Sequence, residues 1–225
     1  YLSYDKYLEQ WDDLATVFAR ESILRGAFDK FADAGKGKRG TATVDVAFLA
    51  EIEAWRDQLA KNIARRNPNL DQRGMNDAVQ RTIDRIIFLR LCEDRGIEDY
   101  GQLQKISGAT DIYEELKQRF IQADARYNSG LFHFENEKGR ANADTVSLNL
   151  VLDDKVLKPI LRNLYYPDSP YEFSVMPADI LGQVYEQFLG KVIRLTPGHQ
   201  AKVEEKPEVR KAGGVYYTPT YIVDY

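Results

Sequence analysis

A single cysteine, two histidines and no excess of positive charge leave this chain short of residue types on which whole classes of function depend. The lone thiol, Cys92, cannot build a disulfide framework, which points to a reducing compartment, the cytoplasm. It lies in the apolar run IIFLRLC, where a buried structural thiol is expected rather than a nucleophile. His133 and His199 are too isolated to suggest a metal site or a catalytic dyad, and His133, in the alternating run LFHF, reads as a packed strand residue. No stretch reaches the roughly 20 apolar residues of a membrane span and no signal-peptide pattern is visible, so no membrane partner is expected. A net charge of −4 and a pI near 5.4 argue against a small basic DNA-coating protein. They leave room for a local basic groove, because patches matter more than sums. GxSxG is missing, as are a Cys–His pairing and a carboxylate pair spaced for acid–base work. Asp153-Asp154 precede a helix, where capping and the helix dipole account for them. No catalytic residue and no metal ligand is therefore assigned.

Helical periodicity is what the chain has in abundance. Its 225 residues suffice for a real core, as one large or two small domains. Tyr4, Tyr7, Leu8, Trp11, Leu14 and Phe18 recur at three and four behind a candidate N-cap at Ser3. Phe48, Leu49, Ile52, Trp55, Leu59 and Ile63 mark a second helix from about Asp45. Both tryptophans are thus expected on buried faces. NDAVQRTIDRIIFLRLCED is apolar almost all round after Ile83, which predicts a central helix stopped by Gly96. DIYEELKQRFIQADARY, DDKVLKPILRNLYY with a kink or break at Pro159, and the segment from Pro177 to Ile193 follow. Strand candidates are few: GLFHF, VSLNLVL and YEFSV. The basic stretch AGKGKRGT and the polar TPGHQAKVEEKPEVRKAGG read as a loop and a linker.

Two motifs come close to known chemistry and miss. Gly35 and Gly40 have the separation of a phosphate-binding P-loop, but Thr41 follows Gly40 directly where a lysine should intervene. Asp168 with Glu204, Glu205 and Lys206 has the residue types of a magnesium-dependent nuclease, yet both halves lie in loop-like sequence.

The chain closes on KAGGVYYTPTYIVDY, where Thr218 before Pro219 is an N-cap followed by the proline favoured at a first helical position. A helix N-terminus attracts carboxylate or phosphate, and Tyr216 and Tyr217 add flat apolar surface beside it. VYYTPTYIVDY closely resembles the motif that opens the methyltransferase domain of adenine-specific DNA methyltransferases. The resemblance implies that Tyr217, Thr218 and Pro219, with Tyr216 as a weaker candidate, line a pocket for S-adenosylmethionine. Upstream, AVQRTIDRIIFLRLCEDRGIE, YNSGLFHF, ILGQVYEQFLGKVI and EKPEVRKAGGVYYTP resemble the helical connector of type IIG restriction-modification enzymes. Those enzymes join an N-terminal nuclease, a helical connector, a methyltransferase domain and a target-recognition domain.

The expectation is accordingly a mainly α protein: a multi-helix connector bundle with a few short strands, ending at the first motif of a Rossmann-like methyltransferase domain. Its divisions are residues 1–195 for the connector, 196–212 for a polar linker and 213–225 for the start of the methyltransferase domain. A start at Tyr1 rather than Met fits an internal segment. The family's Asn-Pro-Pro-aromatic motif, which receives a flipped adenine, does not appear; NPNL at Asn67 and DSPY at Asp168 are look-alikes in the wrong order. The parent would use S-adenosylmethionine, and magnesium in any nuclease half, on double-stranded DNA. Lys36, Lys38, Arg39, Arg65 and Arg66 are the candidates for DNA contact by the connector. A self-contained helical interaction module and a small nuclease built on Asp168 and Glu204 are the competing readings.

Overall fold

The computed structural model describes residues 6–26, 44–136, 143–169, 173 and 190–206, in two compact units divided after Thr43. In the first unit, turns lead from Lys6 into α1 (Trp11–Phe18), and an extended Ala19 separates it from α2 (Arg20–Leu24). The Ser22 hydroxyl donates to the Ala15 carbonyl at 3.1 Å and ties the two helices together. The expected stripe begins later than the sequence suggests, and its side chains are not buried. Leu8 is 89% and Trp11 62% exposed, so the expectation of a buried Trp11 is corrected. Ser3 and Tyr4 lie outside the described residues.

The second unit is organised around two long helices, α3 (Val44–Arg66) and α4 (Gln72–Asp94), packed against each other. At 23 residues each, they extend about 34 Å at 1.5 Å per residue. Phe48, Ile52, Trp55, Leu59 and Ile63 form the buried stripe of α3, as their spacing predicts. Asp71 caps α4 by accepting from the Gly74 N–H at 2.7 Å. Arg95 ends it, and Gly96 takes the left-handed conformation (φ 68°) expected of a helix stop. Cys92 is buried, and burial raises its pKa, as befits an inert thiol. Then come α5 (Gln102–Ile106), α6 (Ile112–Tyr127) and α7 (Asp154–Arg162), with α7 packed on α3, α5 and α6. Pro159 removes one N–H from α7, yet the helix runs through it without a break.

The strands are not where the sequence put them. GLFHF is irregular, and VSLNLVL holds a 3₁₀ turn over Ser147–Asn149. Of YEFSV only Phe173 is described, also in a 3₁₀ conformation. Among the described residues the strands are β1 (Lys191–Leu195) and β2 (Ala201–Glu205), an antiparallel pair in which Ile193 faces Val203. Of the helix expected from Pro177 to Ile193, residues 177–189 lie outside the described residues; Gly190 is helical and β1 begins at Lys191, while β2 lies in the stretch read as a polar linker. This hairpin packs with β1 on α4 and β2 on α3. Asn76 of α4 holds it by donating to the Ile193 carbonyl and accepting from the Ile193 N–H, at 2.8 and 2.9 Å.

Two arginines of α4 enter the core with their partners. Arg85, fully buried, donates to Asp144 at 2.7 Å and to the Leu131 carbonyl at 2.9 Å beneath the rings of Phe120, Phe132 and Phe134. This explains why Phe132 and Phe134 do not form a strand: they wall in a guanidinium. Burial alone would raise the Asp144 pKa, but hydrogen bonds from Ser147 and the charge of Arg85 outweigh it and hold the carboxyl below its ordinary range. Removing one partner of such a pair costs about 3–5 kcal/mol, because the other charge stays buried. Arg90 pairs with Asp94 and stacks on Tyr100, Tyr165 and Phe173, while Glu93 accepts from the Gly101 and Leu103 N–H groups at 2.9 Å. These buried acids are thereby committed to holding helices in place.

Candidate nucleic-acid interface

Arg65 and Arg66 occupy the last turn of α3, where cations offset the negative end of the helix dipole. Both are roughly half exposed, and both pair with Asp153, at 2.5 Å from Arg65 Nη2 and 3.2 Å from Arg66 Nε. Asn62 adds a 2.7 Å hydrogen bond to the same carboxylate and accepts from the Asp153 N–H at 3.0 Å. The Asn62 hydrogen bond first, and the two guanidiniums with it, hold the Asp153 pKa below the ordinary carboxylate value. Two guanidiniums against one carboxylate leave one positive charge uncancelled.

The corner between α3 and α4 is built from side-chain amides. Asn67 donates to the carbonyls of Ile63 and Val151 and accepts from the Val151 N–H, each at 2.9 Å. Its own carbonyl receives the His199 imidazole at 3.3 Å, from the turn joining β1 to β2. Because a carbonyl only accepts, Nε2 of His199 carries the proton in this contact. His199 adopts a positive φ of 56° and closes the turn around Pro197-Gly198, its N–H donating to the Thr196 carbonyl at 2.8 Å.

Three hollows surround this corner. One, of about 610 Å³, lies between the end of α3 and the hairpin turn and includes Lys61, Arg65, Pro68, His199 and Gln200 in its lining. A second, of about 390 Å³, takes in Arg66, Pro68, Asn69, Thr145 and Asn149. Among the described residues neither is lined by a carboxylate. The third, of about 600 Å³, is different: Asp111, Glu114, Asp153 and Asp154 face Arg66, Lys117 and Lys155. The N-terminus of α6 borders it and already has its acceptors, with Asp111 taking the Glu114 N–H and Asp154 the Ile112 N–H. The third hollow therefore repels an anion, whereas the first two suit one.

Of the sequence-predicted site residues, Arg65 and Arg66 come together here. Tyr216, Tyr217, Thr218, Pro219, Lys36, Lys38 and Arg39 lie outside the described residues. Asp153 is the N-cap residue of α7 and Asp154 the acid of its first turn, as the capping and dipole reading places them, but Asp153 makes no side-chain cap bond and pairs with the two arginines, while the Asp154 carboxylate also accepts from the Ile112 N–H of α6. Nothing local in the sequence joins Asp153 to residues nearly ninety positions earlier. Lys61 and Gln200 carry no local signal and His199 looks isolated in the sequence for the same reason, since only the hairpin brings the last two to α3. His133 is buried as expected, though in irregular structure rather than a strand.

The nuclease reading loses ground. Asp168 faces Arg162 at 3.5 Å and Glu204 faces Arg194 at 3.2 Å, each with its own cation. Among the described residues no three His, Cys, Asp or Glu side chains gather as metal ligands, and no helix is long and apolar enough to cross a membrane.

No family model and no solved structure matches the chain. Among curated proteins, the type II restriction enzyme and methyltransferase RM.Eco57I of Escherichia coli is 33% identical to it over 221 residues. That similarity takes in 98% of this chain and 21% of the relative, so the chain spans about a fifth of the relative's length.

Proposed function

We propose that the chain is the helical connector of a bifunctional DNA restriction-modification enzyme, joining an N-terminal nuclease to an S-adenosylmethionine-dependent adenine methyltransferase domain of the type IIG build. The observation that carries this reading is the 33% identity to a restriction enzyme and methyltransferase across 98% of the chain. The closing VYYTPTYIVDY motif, most of which lies within the same similarity, agrees with it. In this reading residues 1–195 are connector, 196–212 lead onward and 213–225 begin the methyltransferase domain. The connector holds no complete active site. Tyr217, Thr218 and Pro219 form one wall of the cofactor pocket, and double-stranded DNA is the substrate. Arg65 and Arg66 belong to its DNA-facing surface, as do Lys36, Lys38 and Arg39. Magnesium serves the parent's nuclease half. The cytoplasm is the compartment.

Half a pocket binds poorly. A helix N-terminus supplies roughly 0.3–1 kcal/mol to a facing charge, whereas micromolar affinity needs about 8 kcal/mol. Calorimetry should therefore detect no S-adenosylmethionine binding by the 225-residue chain and clear binding once the chain continues through a methyltransferase domain. Thr218→Ala combined with Pro219→Ala should weaken the latter. Tight binding by the shorter chain, or an unaffected double variant in the longer one, would overturn the assignment.

A further inference from the structure

We infer that the α3–α4 corner is a sequence-independent site for the DNA phosphodiester backbone, running from the β1–β2 turn past Pro68 to the Thr145–Asn149 segment. The inference rests on the proposal that the parent acts on DNA, and it assigns the contact to a surface assembled from three distant segments.

Phosphate recognition needs cations and neutral hydrogen-bond donors together, from Arg, Lys, Asn, Gln, Ser or Thr. The first hollow offers Lys61, Arg65 and Gln200, and the second Arg66, Asn69, Thr145 and Asn149. Pro68 lines both, so the two adjoin and can take successive phosphates of one strand. With its Nε2 proton donated to the Asn67 carbonyl, neutral His199 presents only a lone pair at Nδ1, so Lys61, Arg65 and Gln200 are the phosphate donors of the first hollow. Lys61 shares its charge with Asp57 at 2.6 Å, but that pair is largely exposed, so water already weakens it and a phosphate can compete. Arg65 and Arg66 keep their net positive charge despite Asp153.

The track also has an edge. Beyond Arg66 lies the hollow in which four carboxylates outnumber three cations. A polyanion is accepted on one side of Arg66 and repelled on the other, which fixes how a strand can lie. Arg, Asn and Gln side chains can meet phosphates or base edges, and a loss of affinity equal for two unrelated duplexes marks the phosphate contact inferred here.

The test is a salt titration of duplex binding, followed by fluorescence anisotropy with two labelled duplexes of unrelated sequence. Each phosphate contact contributes about −0.9 to the slope of log affinity against log salt concentration. Lys61→Gln with Arg65→Gln should flatten that slope by roughly one to two and weaken low-salt binding about tenfold, equally for both duplexes. Lys117→Gln with Lys155→Gln, in the acidic hollow, should leave the slope unchanged. Should the double variant fold poorly by circular dichroism, Lys61→Gln alone, an exposed change, carries the test with a slope change of about 0.9. A wild-type slope in these variants, an equal effect in the Lys117/Lys155 control, a loss confined to one duplex, or no duplex binding by the unaltered chain would each overturn the inference. Failure of cofactor binding in the longer chain would instead remove the proposed enzyme class and leave this measurement standing.

Discussion

Asp84 sits on α4 one turn after Gln80, whose amide donates to both of its carboxylate oxygens at 3.1 and 3.0 Å. Burial pushes its pKa up to about 6 from an ordinary 3.8, against the hydrogen bonds of Gln80 and the charges of Arg85 and Arg81. The folded value lies above the unfolded one, so folding favours the protonated form. Its contribution to stability is complete below about pH 4 and is lost as pH rises through 6. Asp84→Asn keeps an acceptor for Gln80 and removes the charge. The variant should be more stable than the parent at pH 7 by up to about 3 kcal/mol, with the gain vanishing near pH 4. Urea unfolding at the two pH values decides it, and an equal gain at both would show that charge burial is not the cause.

The β1–β2 hairpin is tied by named bonds to the helices beneath it. Asn76 satisfies both the N–H and the C=O of the buried Ile193, and Arg56 donates to the Lys191 carbonyl at 3.0 Å. Asn76→Ala strands two buried backbone groups, which costs about 1–3 kcal/mol each when no partner replaces them. Hydrogen exchange should show the Ile193 amide and the cross-strand-bonded Val192 and Arg194 amides losing protection by more than the Leu59 and Ile86 amides of the long helices. A uniform loss would mean that the hairpin and the helices open as one. The same element shows what a sequence can hide. Val192 and Ile193 continue the three-and-four apolar spacing of ILGQVYEQFLGKVI, and over five residues that spacing does not separate helix from strand. AKVEE is too short and polar to announce itself, and its partner decides its state. The long helices are legible because α3 repeats its apolar period over about four turns, from Phe48 to Ile63. The site was legible only as far as Arg65 and Arg66, since Asp153 and His199 reach them through tertiary contacts.

At the scale of the whole molecule, the two tryptophans report on different units. Trp55 is 3% exposed in the core of the second unit, whereas Trp11 is 62% exposed in the first. Acrylamide should quench Trp11 strongly and Trp55 weakly. Trp11→Phe should leave a blue-shifted emission, and Trp55→Phe an emission close to that of indole in water. The reverse pattern would contradict the burial of the α3 stripe. The hairpin has a mechanical consequence as well. The chain enters it at Gly190 and leaves it at Lys206, whose N–H donates to the Gly190 carbonyl at 3.0 Å. Tension drawn between these points acts along the cross-strand bonds, so the rungs separate in succession, Gly190 from Lys206 first, instead of resisting in shear together. Traction along the chain is then spent on unzipping the hairpin, and it stalls at the rungs that Arg56 and Asn76 tie to the long helices.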